Sequence, residues 1–375
     1  MRDLTIHGND LIVATHGRSF WVLDDITPLR QLNRELTTAQ AHLYAPEEAV
    51  RMHRDRNPDT PLPPEVPAGK NPPDGAIIDY FLANDSSTAV TLEILDADGK
   101  LVRRYASTDK AQPLSEIAPK HPIPMYWVRE DKILSAAAGM HRFVWDVRYA
   151  PPKSLTHGYP ISAILHDTPL EPLGAWALPG RYTVKLTVKG QSYQQPLVVE
   201  IDPRVKSSAA DLEKQSAIEQ AAAAGMNRSF RAIEELQSAR AQAADQMSKA
   251  SPALKVRLAD FDKKAAALEG ATVPGFFGTP LSSKQPENFA TLNQRLGRIL
   301  AIADSADSAP TATVENVAAE LQAALQASEA SWMALKKTEL AALNQDLERE
   351  KLSRIDTGRK EREEPASDDE GDDEP

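Results

Sequence analysis

The stretch Pro179-Gly180-Arg181-Tyr182-Thr183-Val184-Lys185-Leu186-Thr187-Val188-Lys189-Gly190 decides the fold class. Tyr182, Val184, Leu186 and Val188 alternate with Arg181, Thr183, Lys185 and Thr187. A period of two marks a strand with one buried and one wet face. Pro179-Gly180 suits a turn in which proline presets φ and glycine supplies a positive one. Lys189-Gly190 makes the next hairpin, to a return strand carrying Leu197, Val199 and Ile201.

The same period extends back through residues 74–203. Ile78-Asp79-Tyr80-Phe81-Leu82 begins it, and Val90, Leu92 and Ile94 continue it. Asp96-Ala97-Asp98-Gly99 turns the chain into Leu101-Val102-Arg103-Arg104-Tyr105, and Phe143, Trp145 and Val147 form a later alternating set. About seven short strands separated by turn signals predict a two-sheet β-sandwich of immunoglobulin or fibronectin type. Trp145, Tyr182, Val184 and Leu186 are expected to point inward. Between Arg148 and Pro179 runs an irregular excursion holding Pro151, Pro152, Pro160, Pro169 and Pro172, of a length that is often functional or docked on a neighbour.

The flanks differ. Residues 1–27 read as two strands, Leu11-Ile12-Val13-Ala14 and Phe20-Trp21-Val22-Leu23, joined through Gly17. A lone hairpin buries too little to stand by itself. Residues 28–73 read as a short helix over 28–45, carrying Leu29, Leu32 and Leu36, and then a Pro-rich extended linker. Residues 204–355 are alanine-rich, with four apolar stripes at helical spacing. Ser208 or Asp211 caps the first helix, Ser251-Pro252 opens the second, Phe289, Leu292, Leu296 and Ile299 line the third, and Thr313 caps the fourth. The expectation is an antiparallel helical bundle. Residues 356–375 are charged, poor in apolar residues and expected to be a disordered acidic tail. The class is α+β, in several parts.

Composition narrows the chemistry. The 375 residues contain no cysteine, which removes disulfides, thiolate nucleophiles and Cys-ligated metals. Net charge is −11, and more than half of it sits beyond residue 358. Such a chain has no basic surface for nucleic acid. No stretch of ~18 apolar residues spans a membrane. The first residues lack the apolar core of a signal peptide, so the chain as written would remain cytoplasmic.

Candidate chemistry was sought where polar groups cluster. His16 and Arg18 flank Gly17 near Asp24 and Asp25, as a polar site at a strand turn or as turn residues bonded to backbone. His157, His166 and Asp167 fall in the Pro-rich excursion, at a spacing that fits neither a helical nor a strand metal pair. Trp145-Asp146 could form an aromatic sugar platform with an acid, but Trp145 shares its face with Phe143 and Val147, which favours the core. Asp96/Asp98 and Glu234/Glu235 are carboxylate pairs that do not face each other across a cleft as glycoside hydrolysis requires. The Asp368-Asp369-Glu370-Gly371-Asp372-Asp373-Glu374 run has no fixed ligand geometry. No catalytic, cofactor-binding or metal residue is therefore assigned, and no cofactor is expected.

Several stretches resemble a known family. Asp10-Leu11-Ile12-Val13-Ala14-Thr15-His16-Gly17-Arg18-Ser19-Phe20-Trp21-Val22-Leu23-Asp24-Asp25-Ile26 is similar to the last blade of bacterial sortilin-like, BNR-repeat β-propeller proteins, often labelled glycosyl hydrolase. The likeness continues through Asn71-Pro72-Pro73-Asp74-Gly75-Ala76-Ile77-Ile78-Asp79-Tyr80, Ala138-Gly139-Met140-His141-Arg142-Phe143-Val144-Trp145-Asp146-Val147-Arg148 and Ala177-Leu178-Pro179-Gly180-Arg181-Tyr182-Thr183-Val184. It ends with Asp202-Pro203-Arg204-Val205 and Ala303-Asp304-Ser305-Ala306-Asp307. The resemblance implies a propeller before this region, an extracytoplasmic setting, and a propeller-blade remnant in residues 1–27. The family repeat Ser-x-Asp-x-Gly-x-x-Trp is missing. The leading expectation is a non-catalytic accessory segment whose partner is a protein or the absent propeller. Alternatives are a glycan hydrolase of sialidase-like type and a helical module that self-associates as a homo-oligomer.

Overall fold

The computed structural model describes residues 2–53, 63, 65–66, 69, 71–111, 123–159, 164–272 and 287–358. It contains both sheets and helices, an α+β composition. The chain divides into two compact units, one of residues 1–152, 156–223 and 299–315, the other of 153–155, 224–298 and 316–375. Among the described residues, no helix is long and apolar enough to cross a membrane.

The first unit opens with three strands, β1 (Asp3–His7), β2 (Asp10–Ala14) and β3 (Phe20–Leu23), in an antiparallel meander. The sequence reading of two strands missed β1, although Leu4 and Ile6 alternate with Thr5. The expected helix over 28–45 is also corrected. Only one helical turn forms, α1 (Thr27–Arg30), followed by a 3-10 turn at Glu35–Thr37 and strand β4 (Ala41–Leu43). Next comes β5 (Ala49–Arg51), inside the stretch read as approach to a linker.

The remaining strands are β6 (Ala76–Leu82), β7 (Thr91–Leu95), β8 (Leu101–Ala106), β9 (Gly139–Trp145), β10 (Gly180–Val188) and β11 (Gln191–Ile201). One sheet runs β5-β11-β10-β7-β8 and a second β4-β6-β9. Both sheets therefore need a strand from before residue 74, earlier than the sequence placed the β region. All these pairings are antiparallel except β5 with β11, which is parallel in the register Val199↔Ala49 to Ile201↔Arg51.

The two sheets share one buried cluster. Ile78, Tyr80, Leu82 and Trp145 come from one sheet, and Leu92, Ile94, Val184, Leu186, Leu197 and Val199 from the other. Trp145, Tyr182, Val184 and Leu186 are all buried, as the period-two pattern requires. Trp145 meets Tyr182 edge-on at 5.6 Å and donates its indole N–H to the Arg148 carbonyl. Gly75 enters β6 with φ +129°, where a Cβ would lie 2.0 Å from the Trp145 carbonyl oxygen, so only glycine fits that approach.

The helices are α2 (Ala209–Met247), α3 (Pro252–Glu269), α4 (Phe289–Ala303), α5 (Ala312–Leu335) and α6 (Ala341–Arg349), the last two joined through a π-turn at Lys336–Leu340. Ser251 caps α3 through Leu254 N–H. Thr311, rather than the expected Thr313, offers its hydroxyl at the start of α5. The first part of α2 and the end of α4 belong to the sheet-bearing unit, so the boundary expected at residue 203 does not hold for these helix segments. The second unit buries Ile233, Leu258, Phe261, Leu292, Leu321, Trp332 and Leu347 on the predicted stripes, and Leu236 besides.

The expected acidic tail lies outside the described residues from 359 onward. Its first residue is held, because Asp356 exchanges two backbone bonds with the Gln242 amide. Pro274-Gly275-Phe276-Phe277-Gly278 also lies outside the described residues.

Candidate functional site

Two features of the first unit stand out, and only the first overlaps a sequence candidate, since it includes the His16–Asp25 stretch. The first is the β1–β2–β3 sheet. The registers Leu4↔Val13↔Trp21 and Ile6↔Leu11↔Leu23 put six apolar side chains on one face. On a free surface that face needs a cover, because contiguous apolar patches mark interaction sites. Trp21 is 65% exposed, Ile6 53%, Leu23 47% and Leu4 46%. The opposite face is mixed. Phe20, 76% exposed, and Val22 lie there with Asp3, Thr5 and His7. Both outer strands, β1 and β3, lack a further partner strand among the described residues.

Arg142 links this sheet to its neighbour, alongside the Asn9–Glu47 hydrogen bond. Arg142 on β9 grips the Asp79 carboxylate of β6 through Nε and Nη2, at 3.0 and 2.9 Å. The same guanidinium donates to the carbonyls of Asp24 and Asp25, immediately after β3. Asp25 is buried, and that burial holds its carboxyl above the usual aspartate range despite the Thr27 N–H. A cavity of about 250 Å³ lies beside the clamp, lined by Leu23, Pro28, Leu29 and Met140 among others.

The second feature is a buried charge node. Arg51, at the end of β5, is 1% exposed and pairs with Asp307. Arg148 is also buried and grips Asp304 with two nitrogens, at 3.0 and 3.2 Å. Trp176 lies under both guanidinium groups, whose central carbons are 3.8 Å (Arg148) and 5.3 Å (Arg51) from its ring centre. Cation–ring contacts of this kind gain strength when desolvated. The His53 ring meets Trp176 at 5.1 Å, and its Nε2 lies 3.3 Å from Asp307. Burial pushes Asp307 upward, but the His53 hydrogen bond and the Arg51 charge hold it below the ordinary aspartate range.

From α2, Glu219 enters the node. It is fully buried, and it accepts the Trp176 N–H at 3.0 Å and the Gln215 amide at 2.9 Å. Burial, with the nearby Asp304 charge, raises its carboxyl to about 7. Gln215 also donates to the Ala303 carbonyl, so this pair joins α2 to the end of α4. The node ties strand ends, the Pro-rich excursion and two helix segments together. Its two guanidinium groups and two aspartates are paired with one another, an arrangement suited to holding elements in place.

The residues singled out from sequence are scattered. His16 and Arg18 are exposed in the β2–β3 turn, where Thr15 bonds Ser19 and Arg18 backbone and the Trp21 indole bonds the Arg18 carbonyl. His157 bonds the Glu171 carbonyl, and Asp167 pairs with Arg129. Among the described residues, no group of three His, Cys, Asp or Glu side chains is placed to hold a metal ion. Asp146 is half-buried, and desolvation of its carboxyl holds it above the aspartate range against the pull of Arg103, Arg148 and Arg129. Asp96 spends its carboxylate on the amides of Asp98 and Lys100, closing the turn. Glu235, partly exposed, accepts the Trp332 indole and Lys336. The node itself was missed, because its members are up to 256 positions apart and no local period links them. The signals were Arg148 at the end of the Ala138–Arg148 stretch and the Ala303–Asp307 stretch, both picked out by resemblance alone. No family model matches the chain, and no curated protein matches it.

Proposed function

We propose that this chain is the accessory, non-catalytic C-terminal portion of a sortilin-like, BNR-repeat β-propeller protein. Its β1–β2–β3 sheet would be propeller-blade strands awaiting their neighbours, in an extracytoplasmic assembly. The observation that carries this reading is the six-residue apolar face of that sheet, uncovered among the described residues, with apolar side chains on the other face as well. A sheet in the middle of a propeller is packed on both faces. A sheet that closes a globular domain has one apolar face against its own core.

The remaining parts suit a scaffold. We read the two larger sheets as an immunoglobulin-type sandwich. Their strand orders, the crossing of β5 to pair in parallel with β11, and the Tyr182 hydroxyl bonded 2.6 Å from the Leu178 carbonyl support it. That hydroxyl contact is the corner bond expected near the start of such a strand. The helices are read as a bundle. The glycosyl hydrolase label of the family has no support in named residues here, and fold likeness alone does not transfer an activity.

The test is hydrogen exchange at Phe20–Leu23, with and without a purified BNR-repeat propeller lacking its last blade. Protection of these amides by the propeller, absent with an unrelated β-sandwich, is the expected result. Unchanged exchange with a propeller that is itself folded overturns the proposal. Leu4→Ser/Trp21→Ser should abolish the protection while leaving the Tm within a few degrees, since these side chains are 46% and 65% exposed.

A further inference from the structure

We propose that Glu219 and Gln215 form a proton-operated switch: protonation of Glu219 turns the Gln215 amide over and releases the Ala303 carbonyl, loosening the tie between α2 and the end of α4. The argument starts from charge. The groups facing Glu219 in the node are Arg51 and His53 at the end of β5, Arg148 after β9, and Asp304 and Asp307 after α4. Two guanidinium groups already balance two aspartates. An ionised Glu219 is therefore a buried, uncompensated negative charge, a costly state that burial resists.

Geometry then shows what the ionised form holds. Both Glu219 oxygens accept hydrogen bonds, Oε2 from Trp176 N–H and Oε1 from Gln215 Nε2. This arrangement suits the ionised form, because both partners are donors and neither can receive the O–H of a protonated carboxyl. The same Nε2 donates to Ala303 O at 2.9 Å. Gln215 Oε1, by contrast, is buried and has no hydrogen-bond partner among the described residues.

A protonated Glu219 must place its O–H on an acceptor. The nearest exchange is a half-turn of the Gln215 amide, which brings Oε1 to where Nε2 stood and gives the new proton a partner. Ala303 O then loses its donor. Each state leaves something unsatisfied: a lone charge when ionised, an amide and a carbonyl when protonated. Two arrangements of comparable cost are what a switch requires. The Glu219 carboxyl, raised to about 7, places the exchange near neutrality.

The experiment follows the 15N-labelled full chain by NMR between about pH 5 and 8.5, the range that spans this titration. The Trp176 backbone amide and the Gln215 side-chain amide should shift together with one midpoint near 7. Glu219→Gln should leave both flat, and His53→Gln should leave the midpoint in place. The proposal is overturned if the wild-type signals do not titrate, if they still titrate in Glu219→Gln, or if His53→Gln abolishes the titration. Should Glu219→Gln fail to fold, glutamate Cδ labelling of the wild-type chain decides. A carboxyl signal titrating in step with Trp176 supports the switch, and its absence overturns it.

Discussion

The Arg148 guanidinium carbon lies over Trp176, 3.8 Å from the ring centre, and the same guanidinium grips Asp304 through two nitrogens. Stacking and forked pairing together demand a planar, delocalised cation, which lysine does not offer. A third donation, to the Gly174 carbonyl at 2.8 Å, fixes the excursion beneath it.

Arg148→Lys is therefore expected to destabilise the fold by about 2–3 kcal/mol. Arg148→Met should cost about 3–5 kcal/mol, because it strands the Asp304 charge. Arg148→Met combined with Asp304→Leu should recover part of that loss. Urea denaturation of the three variants checks the order; additive losses in the double variant would refute the pairing.

Trp145 is fully buried and bonded to the Arg148 carbonyl. Trp145→Ala should cost about 3–5 kcal/mol through the cavity it leaves. Tyr182→Phe removes only the hydroxyl bond to Leu178 and should cost about 1–2 kcal/mol. A near-neutral denaturation midpoint for Trp145→Ala would move Trp145 out of the core.

Stability should depend on pH through Glu219. Its carboxyl is raised in the folded state from 4.5 to about 7, so the folded state holds a proton that the unfolded chain has lost. The contribution is fully present below the unfolded value and is lost as pH rises through about 7. The size of the shift corresponds to about 3 kcal/mol at ~1.4 kcal/mol per unit. Thermal unfolding of wild type and Glu219→Gln at acid and alkaline pH measures it. The variant should gain on the wild type only at the alkaline end; equal pH profiles would exclude Glu219 as the source.

The purified chain should not hydrolyse aryl glycosides or sialosides above a mock preparation. Glycoside hydrolysis needs an acid and a nucleophile or base across one bond. Asp96 is committed to its turn and Glu235 to Trp332 and Lys336. Turnover by the chain, retained when residues 1–27 are removed, would place a site in the larger sheets or helices.

The sheets were legible in the sequence wherever a strand was long enough to show its period. β10 carries four inward side chains in nine residues, and its alternation is read without ambiguity. β4 and β5 have three residues each, too few to display any period, so they passed as helix and linker. Arg51 compounds the difficulty, because a charged side chain at 1% exposure contradicts the rule by which buried positions are guessed. The helices were legible from their stripes, and only caps and boundaries moved. What no stripe could reveal was the node, since Arg51, Arg148, Trp176, Glu219 and Asp307 meet only in three dimensions.

The parallel pairing of β5 with β11 sets an order of events during synthesis. Ala49–Arg51 are made well before their partner strand, which ends at Ile201, and before Asp307, with which Arg51 pairs. This edge of the larger sheet rests on distant contacts, which make for slow assembly. The edge that this one three-residue strand completes can thus form only once its distant partner has been made.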